Sequence, residues 1–438
     1  MRPLLDALRG GARPDFGALT AALGDVLPLL DRLHDTKQDP QWHAEGTVAV
    51  HTTLVLQEAY DLADTHRLDP ETRLALVLAA LLHDIGKPLT TRRELDRAGR
   101  ERIISPRHAD RGRSFLAYRL PELQLPHTVQ RQVMALVGHH HDPVRTLEAG
   151  TPAAFRRLAR QVDLRLLYLL EVADTRGRVT ADQAARLDDL EYFRLQAEEY
   201  GLWTGDDPYA DWARHVCAAL PDAPAALLDL TLQRGILDHE AGLIHTPHEA
   251  VARGYAARGG FPDLVVTCGP SGSGKSSWIA EHLPDHTVVS LDALRQDLAG
   301  KRADQSVNGQ VLQVAKEQLR AALRRHGRVV WDATNTRRDF RRVPIGLGFD
   351  YGALVTLVVF QPPLSALFGR NPGREHAVPP QVLAQQVEHA EFPSLPEAHR
   401  TLGLDEYHRW TQLAGFSAAG DRPPNELEGA GRRPRDLW

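Results

Sequence analysis

The sequence predicts two domains of different class, an all-α domain followed by an α/β domain with a parallel sheet. Three observations carry this. The first half reads as successive helical segments with few β-branched alternations. The second half alternates short β-branched runs with helical stretches, the pattern of a parallel sheet covered on both faces. Between them Gly259-Gly260-Phe261-Pro262 reads as a break, which puts the domain boundary near Gly259. A chain of 438 residues has room for two or three domains, and 42% hydrophobic residues supply their cores.

Composition narrows the function classes. Net charge is −5, so no global basic field points to nucleic acid. Cys217 and Cys268 are the only cysteines, which argues against a disulfide framework and fits a reducing compartment. The start, Met1-Arg2-Pro3-Leu4-Leu5-Asp6, lacks the apolar core of a secretion signal. The longest apolar runs, near Leu74–Leu82 and Ala353–Phe360, are too short to span a bilayer. A cytoplasmic protein with no membrane partner is therefore expected. Of the 21 histidines, ten fall between His34 and His141.

Taken in order, residues 1–200 are expected to form the all-α domain. Gly10–Asp15 is a loop before a helical segment over Phe16–Leu33, and a helix runs through His51 to about Ala63. His51 shares a face with Val48 and Val55. Leu74–Leu82 is apolar all round, so this helix should be buried, and it ends in His83-Asp84-Ile85-Gly86-Lys87-Pro88. An imidazole beside a carboxylate at the end of a buried helix is costly without a partner. A metal cation supplies one, because it accepts the neutral imidazole and neutralises the carboxylate. His108 follows in a polar stretch, His139-His140-His141 ends the segment Val129–Val137, and Asp174 stands on the inward stripe of the helix Asp163–Asp174.

The order H…HD…H…H…D in a helical setting resembles the HD phosphohydrolase superfamily. The wording W-H-x-E-G-x-x-x-x-H-T, then H-D-I-G-K-P, then A-D-x-R-G-R resembles the HD domains attached to CCA-adding enzymes. Carried over, the resemblance implies that His51, His83, Asp84 and Asp174 hold one metal. His108 and either His139 or His140 would hold a second, with Asp84 bridging. Spacing does not decide between His139 and His140. His140 fits better, as Leu-Val-x-x-His before a proline, and His141 is expected outside the cluster. One or two divalent transition metals such as manganese are implied. Lys87, Arg107 and Arg111 would grip the phosphate, Lys87 in a catalytic role, and His43 and Glu45 are candidates for outer support.

Residues 201–258 carry no chemical motif and are expected to extend the first domain as helices. Thr246-Pro247-His248-Glu249 has the form of an N-capped helix start, with the helix running to about Arg258.

The α/β domain is expected over residues 259–420. The strand Leu264–Cys268 runs into Gly269-Pro270-Ser271-Gly272-Ser273-Gly274-Lys275-Ser276, and a helix follows from Ser277. Strand, G-x-x-x-x-G-K-S and helix together are the setting in which such a loop binds phosphates. Its backbone amides face phosphate oxygens, Lys275 reaches the β/γ-phosphates, and the Ser276 hydroxyl holds magnesium. ATP and magnesium are the expected cofactors. Only five of the 52 Lys+Arg residues are lysines (Lys37, Lys87, Lys275, Lys301 and Lys316), so a lysine kept at 275 suggests that a compact ammonium is needed there.

Further strands are expected at Thr287–Leu291, Arg328–Trp331 and Leu354–Phe360, with a helix over Val311–Arg325. Ligands gather at the carboxyl ends of parallel strands. Asp292 stands at such an end with Arg295 one turn on, spaced for a general base and an acceptor-holding cation. Its plainer role is an N-cap. Asp332-Ala333-Thr334-Asn335 closes another strand: Asp332 suits magnesium through water, and Thr334 and Asn335 suit an acceptor or a capped turn. The arginines from 324 to 342, Arg338 among them, are either a backbone-contact surface for nucleic acid or a solvated face. Arg370-Asn371-Pro372-Gly373-Arg374 reads as a lid whose arginines face the transferring phosphoryl group. The tail, residues 421–438, is rich in Pro, Gly and charge and is expected to be flexible.

The set G-P-S-G-S-G-K-S, D-x-x-R, D-A-T-N and R-N-x-x-R-x-x-x-V-P-x-x-V resembles the phage-type polynucleotide 5′-kinase, an adenylate-kinase-like P-loop fold. The resemblance implies Asp292 as general base, Arg295 at the acceptor phosphate, Arg374 as lid arginine and Arg370 beside it. With a metal-dependent HD domain in front, the whole chain resembles the bacterial HD-Pnk family of RNA end-healing enzymes. That implies a 5′-OH polynucleotide kinase joined to a 2′,3′-phosphatase or cyclic phosphodiesterase, acting on RNA or DNA ends and feeding a ligase. Two other readings stay open: a nucleotide phosphohydrolase fused to a small-metabolite or nucleoside kinase, and an ATP-gated nucleic-acid-binding or sensing module with a degenerate HD site. A homodimer also stays open.

Overall fold

The computed structural model describes residues 1–300, 306–374 and 376–416. The tail at 421–438 lies outside the described residues. The chain divides into two compact units, residues 1–208 and residues from Tyr209 onward. No helix among the described residues is long and apolar enough to cross a membrane.

The first unit is helical apart from one hairpin. Its centre is α2 (Pro70–Leu82), started by Asp69, whose side chain accepts from Glu71 N and Thr72 N. Every residue from Leu74 to Leu82 is fully buried, as an all-apolar helix requires. Around it lie α1 (Val48–Thr65), α4 (His127–His139) and α5 (Leu164–Arg176), with α3 (His108–Ala117) packed on α4. The hairpin, β1 (Arg92–Leu95) paired with β2 (Glu101–Ile104), was not legible as strands because four exposed residues alternating little in polarity carry no period-two signal.

Two glycines set how closely the helices approach. A Cβ at Gly86 would stand 2.0 Å from His108 O and 2.7 Å from Gly112 N, so Gly86 lets the first turn of α3 lie against the end of α2. A Cβ at Gly177 would stand 2.8 Å from Val55 N, so the end of α5 meets α1 in the same way. The absent side chains bring three helix ends and the body of α1 close together.

The second unit opens with α6 (Ala210–Ala219), α7 (Ala225–Glu240) and α8 (Pro247–Gly254). The Thr246 hydroxyl and the Glu249 carboxylate cap the start of α8 reciprocally. The helix stops earlier than the sequence suggests, with a 3-10 turn over Tyr255–Gly259. These helices, read from sequence as an extension of the first domain, group with the second unit instead. A buried ion pair shows why: Asp229 of α7 accepts from Arg400 Nε at 2.7 Å, and Arg400 opens the sheet strand Arg400–Leu404.

The sheet holds β3 (Asp263–Cys268), β4 (Thr287–Ser290), β5 (Arg328–Asp332), β6 (Leu354–Phe360), β7 (Arg400–Leu404) and β8 (Trp410–Ala414). Their order is β4-β5-β3-β6-β7-β8, parallel through β7, with β8 antiparallel at the edge. Side chains alternate across β3: Leu264, Val266 and Cys268 enter one core with Val329 and Val355, while Val265 enters the other with Trp278 and Val358. The connecting helices are α9 (Lys275–His282), α10 (Leu291–Ala299), α11 (Asn308–Arg324), α12 (Arg338–Asp350), α13 (Leu364–Arg370) and α14 (Pro380–Glu388).

Candidate metal centre and candidate phosphate site

In the first unit, His51 from α1, His83 and Asp84 from the end of α2, His108 from α3, His140 and His141 from the end of α4, and Asp174 from α5 converge. All but His141 are buried. Three rings are fixed the same way. His83 Nδ1 lies 2.8 Å from Ala80 O, His108 Nδ1 2.8 Å from Ser105 O, and His140 Nδ1 2.8 Å from Val137 O. Each Nδ1–H is thereby spent on a carbonyl three residues back, leaving Nε2 as a lone pair. Two of those lone pairs face one another, His108 Nε2 and His140 Nε2 at 3.1 Å; His141 Nε2 is 3.1 Å from His108 Nε2, and His51 Nε2 is 3.3 Å from His83 Nε2. Two nitrogens that both present lone pairs do not bond; a cation between them resolves the contact.

The nitrogens form two groups, His51 with His83 and Asp174, and His108 with His140 and His141. Asp84 stands between them. Its Oδ1 is 3.1 Å from His108 Nε2, and its Oδ2 is 3.3 Å from His83 Nε2. Burial opposes its charge, yet Lys87, His83 and His108 hold its carboxyl well below the usual carboxylate range. Burial likewise opposes ionisation of Asp174, but Arg178 and His51 outweigh it. Burial and the neighbouring imidazoles push His140 and His141 well below the usual histidine range, so both stay neutral donors. On His51, burial is overcome by the hydrogen bonds to Asp174 and Glu45, which raise it; a cation would take the place of that proton. The donor set fits divalent metal.

Outer partners complete the centre. Glu45 Oε1 lies 3.1 Å from His51 Nδ1 and 2.7 Å from His43 Nδ1, and Glu45 Oε2 accepts from Val179 N at 3.0 Å, so Glu45 aims the His51 ring. Arg178 donates to both oxygens of Asp174. Lys87 Nζ sits 2.7 Å from Asp84 Oδ2 and donates to Gln38 Oε1 at 2.6 Å. Glu171 is buried one turn before Asp174, its Oε1 without a hydrogen-bond partner among the described residues. Burial, with Asp174 adding, raises its carboxyl well above the usual range.

Of the two alternatives left by spacing, His140 rather than His139 lies in the cluster, as the better fit had it, and the expectation for His141 is corrected. His139 points away, its Nδ1 2.7 Å from Asp142 Oδ2, because it is the last residue of α4 and faces the next helix. His141 joins the centre, since the chain turns after His139 and carries both following rings inward. Arg107 is exposed and pairs with Asp110 at 3.5 Å, and Arg111 is half-buried in the same helix. Arg107 holds a left-handed backbone (φ 57°) just before His108, which sets that ring at the first helical position. Arg178, Glu171 and Gln38 were not identified from sequence. Arg178 has a local signal, an arginine four residues after a candidate ligand.

In the second unit, the Gly269–Ser276 loop lies between β3 and α9. Gly272 and Gly274 have φ of +83° and +97°, which the loop's curl requires. Lys275 Nζ donates to Gly269 O at 2.9 Å and Pro270 O at 2.8 Å. Burial lowers it to about 8, against the opposing pull of Asp332 and Asp292. Arg374 reaches the loop, with Nη1 3.5 Å from where a Cβ on Gly272 would stand. Ser271 N donates to Gln386 Oε1 of α14 at 2.8 Å. Ser276 and Ser277 are exposed at the start of α9, and Ser273 is buried.

On the acceptor side, Ser290 pairs in register with Asp332 at the ends of β4 and β5. The Ser290 side chain caps α10. That leaves the Asp292 carboxylate uncommitted to the cap; its Oδ1 is 2.6 Å from Arg295 Nη1. Arg295 Nε also donates to Asn308 Oδ1 at 3.1 Å. Asp332 takes hydrogen bonds from Ser290 and Ser276; burial raises its carboxyl, with Lys275 opposing. Thr334 presents its carbonyl to Gly269 N at 2.8 Å.

Two candidate residues of this site are engaged by other partners. Asn335 is buried and donates to Thr267 O at 2.8 Å, with Arg341 on its own carbonyl, so it braces β3 rather than meeting an acceptor. Arg370 donates to Glu406 O at 2.9 Å on the β7–β8 turn instead of lying at the loop. Arg338 is exposed, its backbone N bound to Glu391 Oε2 at 2.7 Å. The sequence did not point to His408 of the β7–β8 turn, whose Nε2 stands 2.5 Å from where a Cβ on Gly274 would be.

Comparison with known proteins agrees with the two sites. Residues 48–176 match the family model described as an HD domain, and residues 264–393 match one described as an AAA domain. Curated relatives include the Multifunctional CCA proteins of Cupriavidus metallidurans, 29% identical over 164 residues, and Vibrio cholerae, 27% identical over 164 residues. The alignments take in 36% of this chain and 36% and 37% of those proteins, so the chain spans about a third of the length of the curated relatives it matches. Among solved structures, a sugar kinase from Janibacter sp. HTCC2649 is 21% identical at a TM-score of 0.27, covering 33% of this chain and 86% of that one. A gluconokinase from Sinorhizobium meliloti 1021 is 26% identical at a TM-score of 0.26, covering 33% and 83%. The chain thus carries a match to an HD domain in its N-terminal part and a match to an AAA domain, with a phosphate-binding loop, in its C-terminal part.

Proposed function

We propose that the protein heals broken nucleic-acid ends, phosphorylating a 5′-hydroxyl with ATP in the second unit and removing a 3′-phosphate, 2′-phosphate or 2′,3′-cyclic phosphate in the first. The observation that supports this best is the pairing, in one chain, of a phosphate loop equipped with an acceptor base and a histidine–aspartate centre suited to hydrolysis. Opposite phosphoryl chemistries on one polypeptide make sense when the substrate has two ends, and the product, a 5′-phosphate and a 3′-hydroxyl, is what a ligase needs.

In the kinase step Asp292 takes the proton of the acceptor hydroxyl as its oxygen bonds to the γ-phosphorus and the bridge to the β-phosphate breaks. Arg295, 2.6 Å from Asp292 Oδ1, orients that carboxylate and meets the acceptor phosphate. Lys275 exchanges its loop carbonyls for the β/γ-phosphates, and Arg374 offsets charge on the transferring group. Ser276 and Asp332 would hold magnesium. In the hydrolase step His51, His83, Asp84 and Asp174 would hold one cation, and His108, His140 and His141 a second, with Asp84 shared. Such cations, manganese among the candidates, supply Lewis-acid polarisation and an activated water near neutral pH. Lys87 stands beside Asp84, where it would meet the phosphate as a water oxygen bonds to phosphorus and the bond to the ribose oxygen breaks.

The test offers RNA and DNA strands with 5′-hydroxyl and 3′-phosphate ends, and resolves both products. Lys275→Ala and Asp292→Ala should abolish 5′-phosphorylation and spare 3′ hydrolysis; His83→Ala and Asp84→Ala should do the reverse. Phosphorylation of a free nucleoside or sugar in preference to the strand would overturn the reading.

A further inference from the structure

Beside the metal centre, the first unit has an open pocket of about 350 Å³ lined by Arg32, Lys37, Arg92 and Arg93, with Asp35 the opposing charge. Four cations against one carboxylate stand out in a chain of net charge −5. Arg92 pairs with Glu94 at 2.9 Å and Arg93 with Glu101 at 2.6 Å. All four of these side chains are more than half exposed, so the pairs are weak and open to exchange for a stronger anion. Lys37 is one of only five lysines; Lys87 and Lys275 occupy the two sites already described.

The pocket adjoins the metal centre through neighbouring residues of the chain. Pro88 lines the pocket, and its neighbour Lys87 lies 2.7 Å from Asp84 Oδ2. Thr36 also lines it, and two residues on, Gln38 accepts from Lys87 Nζ. Arg32 Nη2 donates to Pro88 O at 3.0 Å, tying the basic side to that stretch. Consecutive Cα atoms are about 4 Å apart, so the pocket lining begins one residue from Lys87.

We propose that this pocket seats the phosphodiester next to the phosphorylated 3′ terminus, so that the metal centre selects a polynucleotide end over a free nucleotide. The proposal rests on reading this unit as a phosphohydrolase. Phosphate contacts of this kind position a strand without reading its sequence.

The test uses the full chain and its Lys37→Ala/Arg93→Ala double variant, with three substrates: a 3′-phosphorylated oligonucleotide, a nucleoside 3′-monophosphate and p-nitrophenyl phosphate. In the unaltered protein the oligonucleotide should have the lowest KM. The variant should raise that KM roughly tenfold, with kcat held, and reduce the slope of log KM against log salt by about 1. The two small substrates should be unaffected, which also reports that the variant is folded. Equal KM for oligonucleotide and nucleoside, an oligonucleotide KM unmoved in the variant, or equal losses on p-nitrophenyl phosphate would each overturn the pocket's role alone. Hydrolysis of none of the three by the unaltered protein would overturn the phosphohydrolase reading, and this inference with it.

Discussion

Gly86→Ala isolates the packing that builds the metal centre. Gly86 has φ −82° and ψ −14°, a conformation alanine adopts freely, so the substitution carries no backbone penalty. Its whole effect is steric. The new Cβ would meet His108 O at 2.0 Å, where a relaxed carbon–oxygen contact needs about 3.3 Å. Helix α3 must therefore retreat by roughly 1 Å. His108 Nε2, now 3.1 Å from Asp84 Oδ1, leaves that carboxylate with it. Overpacking of this kind costs about 1–3 kcal/mol, a melting shift of a few degrees for a unit of this size. A displacement of about 1 Å in a reacting geometry costs on the order of 100-fold in rate. The assay combines metal content per chain after desalting, 3′-hydrolysis and 5′-phosphorylation. Expected are loss of the ion on the His108 side, hydrolysis down about 100-fold and kinase activity unchanged. A variant that keeps its full metal content and its hydrolytic rate would refute the idea that Gly86 sets the position of α3.

Two further outcomes follow from the titrating groups. Lys275 is depressed to about 8 by burial, and triphosphate should restore it toward its ordinary value, so ATP binding should take up roughly 0.7 of a proton at pH 8.5 and roughly 0.1 at pH 7. Calorimetry in buffers of different ionisation enthalpy measures this, and equal uptake at both pH values would count against it. Glu171 is raised well above the carboxylate range by burial, so above the ordinary glutamate pKa the unfolded chain has released a proton that the folded chain keeps, and stability falls as pH rises. In metal-stripped protein, Glu171→Gln should remove that slope, so that the melting temperature gained over the parent grows from pH 5 to pH 8. A gain that shrinks over the same range would show the carboxyl to be ionised.

What the sequence disclosed follows from how local each signal is. Gly269–Ser276 is one continuous turn whose chemistry depends on eight adjacent residues, and His83-Asp84 marks a buried helix end by itself. The alternating strands of the second unit were legible because each carries its own apolar run. His141 was misplaced because ring direction after a helix end depends on where the last hydrogen bond falls, and that moves with a single residue. Asn335, left open between an acceptor contact and a capped turn, and Arg370 show a different limit. Polar side chains near a site can brace the backbone as readily as meet a ligand, and only the partners (Thr267 O and Glu406 O) decide. Strands β7 and β8 escaped notice because Arg400 and Thr401 look solvent-facing until Asp229 supplies a buried counter-charge.

That same Asp229–Arg400 pair bears on how the enzyme can be dissected. A kinase fragment cut at Gly259, where glycine and proline invite a boundary, would strand a guanidinium inside the protein with nothing to neutralise it. Losing one member of a buried pair costs about 3–5 kcal/mol, enough to leave a small domain poorly folded. A fragment that begins at Tyr209 keeps both partners, so silence from the shorter piece would speak of a missing carboxylate rather than of missing chemistry.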